Sequence, residues 1–408
     1  MLGLSKYKAY IACISASLFV MLGFLPTEKI IENIDFNVLL MILGTMGIVS
    51  LFIESKMPNM LSDIIIKKAN SVKGMTIALA IFSGVVSAFV DNVATVLMIA
   101  PVTLAVAKKL KVSPVPIILA VSIFSNLEGA ATLVGDTTSI LLAGAMKMNF
   151  MDFFFYENKI GLFFIVQLGL LSASIVLYLL VRKLNNKIND PKVEKISDYA
   201  PTILLVLTVL TLIVVSFVKE KPDLINGYIC MFYFIVGLFI KITKNKNIKC
   251  IIPNLKEIDY ETIILLASLF VIIGGIKETG AIEEIGKLFM SFGSNNSFIM
   301  YSLIVIVSIV VSAFIDNIPY VATMLPVVAS ISMGTGISST LLYYGLIVGA
   351  TLGGNITPIG ASANIAAIGI LNKNGYEVTN KEYFKMSIPI SLAAILTGYA
   401  INILLFII

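Results

Sequence analysis

The sequence contains no histidine and no tryptophan, and only 13% of its 408 residues are charged. The absence of histidine excludes a Ser-His-Asp triad, a histidine-ligated metal and an imidazole proton carrier. Soluble domains carry about 25% charged residues, whereas this chain is 58% hydrophobic, with a mean hydropathy of +0.99. We therefore exclude a nucleic-acid-binding protein and a conventional soluble enzyme, and we predict a membrane protein.

Cysteine is also scarce, because the chain has only Cys13, Cys230 and Cys250, which are far apart in sequence. They form no CxxC pair, so we predict unpaired thiols and no thiolate metal site. The sequence contains no HExxH or GxSxG motif either. We predict that the protein is not an enzyme and needs no cofactor.

Apolar runs of about 20 residues are long enough to cross a bilayer. The first run is predicted to be a span instead of a cleaved signal peptide, because no clear small-residue cleavage site follows it and many further spans do. The predicted spans are 8–25, 36–53, 160–182, 200–218, 224–242, 260–276 and 386–407.

Two longer stretches, 74–109 and 298–332, are too long for one straight crossing, since 36 residues of helix extend about 54 Å. Each is interrupted midway by an Asp-Asn pair. We predict re-entrant hairpins with these pairs at their tips, and two short complete crossings are the alternative. The pairs are Asp91-Asn92 and Asp316-Asn317.

Two further stretches, 114–147 and 339–371, are broken in the middle by the glycine-rich segments SNLEGAATLVGD and TLGGNITPIGA. Unwound backbone at membrane depth is tolerated only where it lines a cavity or is buried in protein. We therefore predict discontinuous helices that face a common cavity.

The motifs repeat at a fixed offset of 225 positions, which maps SAFVDN onto SAFIDN without a gap. We predict membrane repeat one over 1–190, a linker with one transmembrane helix over 191–223, and repeat two over 224–408. Because five crossings precede repeat two, it should be inverted, as in secondary transporters. The same offset maps Pro101, Gly129, Thr132 and Gly135 onto Pro326, Gly354, Thr357 and Gly360.

The predicted fold is an all-α polytopic membrane protein with about nine crossings and two hairpins, or about eleven membrane segments. With the N-terminus in the cytoplasm, 22 of the 29 Lys and Arg residues fall on the cytoplasmic side and seven outside. This distribution predicts an external C-terminus, and we predict that the protein lies in the plasma membrane. Residues near Lys187 and Lys246 should face the cytoplasm, and residues near Lys159 and Lys221 should face outside.

Polar side chains cluster at the hairpin tips and helix breaks, where freed backbone groups can also bind ions. We predict Na⁺ binding at Asp91, Asn92, Asp316 and Asn317, because carboxylate and amide oxygens suit hard cations. Capping of the half-helices is the alternative role. The complete predicted ion- or substrate-binding set is Asp91, Asn92, Asn126, Thr132, Asp136, Thr137, Asp316, Asn317, Asn355, Thr357, Ser362 and Asn364.

Intramembrane carboxyl groups are costly and usually functional, so we predict that they carry protons. The sequence indicates no Lys or Arg beside them. Repeat one is richer in acids, because Gly353 and Ala361 stand where it has Glu128 and Asp136. The predicted proton carriers are Asp136, Glu128, Asp91 and Asp316, with Asp136 as the first candidate and Glu128 as its alternative.

At these motifs the sequence resembles the ArsB/NhaD permease family of the ion transporter superfamily, whose members share a citrate-transporter-like domain. The resemblance implies inverted repeats, two re-entrant hairpins, two unwound helices and a homodimer. It lies in SAFVDNVATVLMIAPV (87–102), SNLEGAATLVGDTTSILL (125–142), SAFIDNIPYVATMLPV (312–327) and LGGNITPIGASANIAAIGI (352–370).

The resemblance leaves several transported substrates open. GDTTSIL and DNIP look like the sodium–proton branch, whereas GGNITPIGASAN looks more like the arsenite permeases. We predict Na⁺/H⁺ antiport by alternating access, with arsenite or antimonite efflux and sodium-coupled transport of a citrate- or dicarboxylate-like anion as alternatives. A channel is a further alternative. The predicted partners are a small inorganic ion or small molecule, the lipid bilayer and a second copy of the chain, with no nucleic acid.

Overall fold

The computed structural model describes residues 7–184, 186, 196, 198–218, 220–293 and 296–408. Within these residues the regular structure is helical, apart from a hairpin of two strands, β1 (Phe155–Tyr156) and β2 (Lys159–Ile160). Seven of the described helices are long and apolar enough to cross a membrane, or eight if one bent pair is a single span. The predicted all-α polytopic fold is confirmed.

In the described residues of the first half of the chain there are nine α-helices, several of them short. They are α1 (Lys8–Met21), α2 (Ile30–Asn33), α3 (Phe36–Glu54), α4 (Met57–Lys68), α5 (Val72–Ser87), α6 (Asn92–Leu110), α7 (Val115–Glu128), α8 (Thr137–Met146) and α9 (Leu162–Val181).

The second half follows helix α10 (Ala200–Ser216), and its described residues contain nine more α-helices. They are α11 (Ile225–Asn245), α12 (Ile252–Glu257), α13 (Tyr260–Glu278), α14 (Ala281–Gly293), α15 (Ser297–Ser312), α16 (Asn317–Thr335), α17 (Ser339–Gly353), α18 (Ser362–Lys373) and α19 (Asn380–Phe406).

The offset of 225 found in the motifs also relates whole helices. Helices α5 and α6 have the same lengths as α15 and α16 and begin 225 positions earlier. Helices α8 and α18 likewise begin at equivalent positions, at Thr137 and Ser362. The two breaks, 129–136 and 354–361, therefore lie at equivalent places in the two repeats.

Helix ends differ from the predicted spans where capping chemistry determines them. Helix α19 begins at Asn380, before the predicted start at residue 386, because Thr379 and Glu382 form a capping box. The Glu382 N–H donates to Thr379 Oγ1 (3.2 Å), and the Thr379 N–H donates to the Glu382 carboxylate (3.1 Å). Helix α1 ends at Met21, before residue 25, because Gly23 adopts a positive φ of 79°. Hydropathy detects neither signal.

Both Asp-Asn pairs lie where one helix ends and the next begins. Asp91 caps α6, because its Oδ1 accepts hydrogen bonds from the N–H groups of Val93 (3.0 Å) and Ala94 (3.1 Å). Asp316 caps α16 through the N–H of Ile318 (3.4 Å). Both residues therefore act as caps, while the re-entrant path of the hairpins and the total number of crossings stay predictions.

The first helix of each predicted repeat packs against the other repeat. Helix α1 lies along α13, and α11 lies along α3. The α3–α11 contact is close at Gly44, where an added Cβ would be 2.5 Å from the backbone carbon of Cys230. These helix contacts join the two halves of the molecule. The predicted boundaries stay a prediction, and residues 190 and 191 and Lys187 lie outside the described residues.

Candidate functional site

Hydroxyl groups fix the two helix breaks against the hairpins. Thr132 Oγ1 donates to the backbone carbonyl oxygen of Ala88, and Thr357 Oγ1 donates to that of Ala313. Ala88 and Ala313 follow directly after α5 and α15, so each break is held against the end of a hairpin helix. The two threonines therefore use their hydroxyl groups for structure.

Close backbone packing also requires a glycine in each break. An added Cβ at Gly135 would lie 2.6 Å from the carbonyl oxygen of Gly129, and one at Gly360 would lie 2.6 Å from that of Gly354. Real Cβ atoms do not approach an oxygen so closely. These positions therefore need the close backbone approach that only glycine allows.

Three asparagines connect the two hairpin tips at the centre of the molecule. Asn92 Nδ2 donates to Asn126 Oδ1 at 3.0 Å, and Asn317 Nδ2 approaches the same oxygen at 3.5 Å. Asn126 Nδ2 donates to the backbone carbonyl oxygen of Thr351 at 2.8 Å. The tips of both repeats thus converge on one side chain.

Asn355 and Asn364 form a second amide pair that holds the break of repeat two against α7. Asn364 Nδ2 donates to Asn355 Oδ1 (3.0 Å), and Asn355 Nδ2 donates to the carbonyl oxygen of Ile123 (3.0 Å). Ser122 Oγ donates to Asn364 Oδ1 (2.9 Å). Because these amide groups already have protein partners, we interpret them as positioning residues.

A cavity of about 430 Å³ opens beside this amide network. Five acidic residues and one lysine contribute to its lining: Asp91, Asp136, Glu257, Asp259, Asp316 and Lys8.

The structure brings most of the predicted carboxylates to this cavity and leaves several predicted polar residues beside it. Asp91, Asn92, Asp136, Thr137, Asp316, Asn317 and Ser362 line it. Asn126, Thr132, Asn355, Thr357, Asn364 and Glu128 are described residues that do not contribute to its lining.

Asp136 lies at the start of helix α8, after the break in repeat one, and the residue is only 5% exposed. Its Oδ1 accepts a hydrogen bond from the Thr137 N–H (2.7 Å), and its Oδ2 accepts one from Thr138 Oγ1 (3.2 Å). Asn92 Nδ2 also approaches Oδ2, at 3.5 Å. Among the described residues no ion pair is formed by this carboxyl group, whereas its repeat equivalent, Ala361, has no ionisable group.

The prediction that no lysine or arginine accompanies the buried acids is wrong for Asp316. Lys8 Nζ lies 3.0 Å from Asp316 Oδ2, and Ser362 Oγ donates to the same oxygen at 3.0 Å. Lys8 is the first residue of α1, 308 positions before Asp316, so no local pattern could pair them. The packing of α1 along α13 brings the lysine to the cavity.

Glu128 is buried but lies apart from the cavity lining. Its Oε2 accepts a hydrogen bond from Gln167 Nε2 on α9 at 2.5 Å, and its Oε1 has no hydrogen-bond partner among the described residues. Gly84 on α5 makes room for it, because a Cβ there would be 2.9 Å from Glu128 Cγ. Its predicted role in proton coupling stays a prediction. The sequence analysis missed Gln167, which looks like an ordinary polar residue within an apolar helix.

The rim of the cavity carries two acidic residues that the sequence analysis also missed. Asp259 caps α13: its Oδ1 accepts from the Thr262 N–H (3.0 Å), and its Oδ2 accepts from Thr262 Oγ1 (2.6 Å). At the end of the short helix α12, burial raises the pKa of Glu257, and the nearby Glu54 carboxylate raises it further. An Asp just before an apolar run signals a cap, but nothing local shows that it borders a cavity.

The contact between α3 and α8 in repeat one has no close counterpart between the equivalent helices of repeat two. Helix α3 packs against α8 near Gly144, where an added Cβ would be 2.7 Å from Asp35 Oδ2. The equivalent helices, α13 and α18, line the cavity as α3 and α8 do, through Thr262 and Ser362, but they do not pack extensively against each other. The two repeats are thus packed differently around the cavity.

These features together define a multi-pass membrane transporter, with a polar cavity built from two broken helices and two helix hairpins. The chain belongs to the citrate transporter family, whose model matches residues 5–349, and thereby to the ion transporter superfamily.

Two kinds of proteins are similar to this chain in sequence. An uncharacterized transporter of Mycobacterium bovis is 31% identical over 411 residues, covering 95% of this chain and 92% of that protein. The human P protein is 27% identical over 450 residues, covering 90% of this chain and 53% of that protein. The chain therefore spans about half the length of the P protein.

Two solved structures share the fold at low sequence identity. The YdaH transporter of Alcanivorax borkumensis superposes with a TM-score of 0.63 at 13% identity, covering 98% of this chain and 97% of that chain. MtrF of Neisseria gonorrhoeae, described as one of a class of antimetabolite efflux pumps, superposes with a TM-score of 0.59 at 15% identity, covering 99% of this chain and 86% of that chain. At this identity the similarity shows the fold alone.

Proposed function

We propose that this protein is a secondary active transporter of the ArsB/NhaD type that exchanges Na⁺ for protons by alternating access. The observation that carries this proposal is the lining of the central cavity, to which the described residues contribute five acidic side chains and one lysine. A cavity with that charge balance attracts cations and repels anions.

The buried part of the cavity supports cation binding most strongly. Asp91 and Asp136 both line it, together with the amide of Asn92 and the hydroxyl of Thr137. Carboxylate, amide and hydroxyl oxygens are ligands for hard cations. In the part of the chain that the structure describes, no three acidic or cysteine side chains form a dedicated metal cluster. A mixed and weaker oxygen set suits a transported ion, which must also be released.

Proton coupling is assigned to the same carboxyl groups. A carboxylate removed from water favours either a proton or a cation as its partner. Since the chain contains no histidine, the carboxyl groups are its natural proton carriers at neutral pH. Na⁺ and H⁺ then compete for Asp136, and this competition couples their movements. The transporter requires no cofactor.

Alternating access is supported by the unequal packing of α3–α8 and α13–α18 around the cavity. Lys8 and Asp259 line the cavity and lie at the starts of α1 and α13, so a cytoplasmic N-terminus would support a cavity that opens toward the cytoplasm. We propose a plasma-membrane location, an external C-terminus and a homodimer.

Sodium-coupled transport of a citrate-like anion is the second candidate. The description of the family as a citrate transporter favours it, as does the Lys8 ammonium group in the cavity. One ammonium group does not balance five acidic side chains, so a tricarboxylate would have to enter together with several cations. We therefore rank it below cation exchange.

The test is transport in proteoliposomes that contain an internal pH dye. The vesicles are challenged in turn with Na⁺, Li⁺, arsenite and citrate, and protein-free vesicles are the control. Proton flux evoked by Na⁺ or Li⁺ alone supports cation exchange. A signal that requires citrate supports the second candidate, and a signal that requires arsenite supports metalloid efflux.

A further inference from the structure

We propose that Lys8 is a tethered counter-ion that competes with the transported cation for the carboxylate of Asp316. This inference rests on the proposed cation exchange and assigns a further residue to the same cavity. Lys8 Nζ lies 3.0 Å from Asp316 Oδ2, which is ion-pair distance. A cation bound at Asp316 would need the place that the ammonium group occupies.

The ion pair is specific to one repeat. Asp91, the equivalent of Asp316, also lines the cavity, but within the described residues no salt bridge joins it to a lysine. Repeat one therefore offers two acids, Asp91 and Asp136, without a counter-ion, whereas repeat two offers one acid that is already neutralised. The lysine thus distinguishes two otherwise equivalent halves of the site.

The position of Lys8 indicates an exchangeable pair. Lys8 and Asp316 have side chains that are 24% and 22% exposed, so water reaches both groups. Ion pairs in contact with water are weak, because solvent screens the charges. Lys8 is also the first residue of α1, and its long side chain can leave the carboxylate by rotation alone. A hydrated cation that enters the open cavity can therefore displace it.

This exchange has a consequence for the transport cycle. When a cation occupies Asp316, the carboxylate is neutralised by cargo, and when the cation leaves, Lys8 takes its place. The Asp316 carboxylate therefore always has a positively charged partner while the carrier changes conformation. An unpaired carboxylate in a dehydrated site would be energetically costly. Lys8 is therefore expected to lower cation affinity on the cavity side and to favour release there.

The experiment measures the half-saturating Na⁺ concentration for proton flux on the side to which the cavity opens, in full-length protein in proteoliposomes. In Lys8→Gln we expect it to fall roughly fivefold, the scale of a weak solvent-exposed ion pair. Lys8→Arg, which keeps the charge, should remain near the wild type. The matched control is Lys29→Gln, because Lys29 pairs with Glu278 on α13 at 2.8 Å but does not line the cavity.

Several results would overturn the inference. An unchanged or higher half-saturating Na⁺ concentration in Lys8→Gln would show that the lysine does not compete with the cation. A double variant, Lys8→Gln with Asp316→Asn, should bind Na⁺ more weakly than Lys8→Gln alone, because the carboxylate ligand is gone. If the double variant matches Lys8→Gln, Asp316 is not a cation ligand.

The same assay separates this inference from the proposed function. A wild type without any cation-evoked proton flux removes the proposed function and the inference with it. A wild type with flux that is indifferent to Lys8 removes the inference alone. If citrate is transported and Lys8→Gln weakens its apparent affinity, the lysine binds an anion. If Lys8→Gln does not assemble, Lys8→Met tests the same loss of charge.

Discussion

Asn126 and Thr351 occupy equivalent positions in the two repeats and touch each other: Asn126 Nδ2 donates to the backbone carbonyl oxygen of Thr351 at 2.8 Å, across a separation of 225 positions. Two equivalent residues can meet only near the axis that relates the repeats. The same asparagine receives both hairpin tips through Asn92 and Asn317. The two hairpin tips, whose Asn92 and Asn317 line the cavity, therefore meet close to the centre of the internal repeat.

Replacement of Asp91 by Asn should abolish or severely reduce transport while leaving the fold intact. Asn caps helices about as well as Asp, so the substitution removes the charge and keeps the cap. Asp35→Asn is the matched control, because Asp35 caps α3 by accepting from the Val38 N–H (3.0 Å) but does not line the cavity. Flux at low substrate concentration decides the outcome, and wild-type flux in Asp91→Asn would mean that this residue is a cap only.

The apparent affinity for Na⁺ should improve as pH rises, and Asp136→Asn should flatten this dependence. Raising the pH removes the proton that competes with Na⁺ for the Asp136 carboxyl group. With one competing proton, the apparent Na⁺ affinity can increase by at most about tenfold per pH unit. The half-saturating Na⁺ concentration at a series of pH values measures the effect.

Glu128→Gln tests the alternative proton carrier with the same pH profile, because Glu128 is buried outside the cavity lining. The variant should keep the wild-type slope. If Glu128→Gln flattens the profile and Asp136→Asn does not, the proton carrier is Glu128, and the cavity is not where the proton competes.

Gly360→Ala should destabilise the protein by about 1–3 kcal/mol, the usual cost of overpacking. The new Cβ would lie 2.6 Å from the carbonyl oxygen of Gly354 and 2.7 Å from that of Ser312. Gly369→Ala in α18 is the control, since nothing lies within 4 Å of a Cβ there. Thermal unfolding in detergent compares the two, and an undiminished melting temperature in Gly360→Ala would argue against the close backbone contact.

Equivalent residues of the two repeats should face opposite sides of the membrane. Lys108 near the end of α6 and Met333 near the end of α16 are both exposed and are 225 positions apart. Single cysteines at these positions, in a cysteine-free background, should react with an impermeant thiol reagent from the cytoplasmic side and the external side, respectively. Labelling of both from the same side would exclude the inverted repeat.

The sequence was sufficient to predict the elements that depend on local patterns. The span at 36–53 corresponds to α3 at Phe36–Glu54, and the run at 160–182 corresponds to α9 at Leu162–Val181, because long apolar runs have few alternatives in a bilayer. The helix breaks were located by glycine and by the repeat. Convergence of Asp91, Asp136 and Asp316 on one cavity followed from the same reasoning.

Contacts between distant helices could not be predicted in the same way. Lys8 reaches Asp316 only because α1 packs along α13, and hydropathy contains no information about which helices are neighbours. Gln167 near Glu128 was missed for the same reason. Sequence patterns also do not distinguish the polar residues that line the cavity from those that stabilise the helix breaks, such as Thr132. Both kinds are polar residues in the same motifs.

The most direct test of cation–proton exchange is the uptake of radioactive Na⁺ into proteoliposomes with an acidic interior, with no other driving force. The account predicts that the outward proton gradient drives Na⁺ uptake in the wild type, that collapsing the gradient with a protonophore abolishes it, and that Asp136→Asn lacks it. Uptake of citrate driven by Na⁺, together with no Na⁺ uptake under the proton gradient alone, would contradict the account.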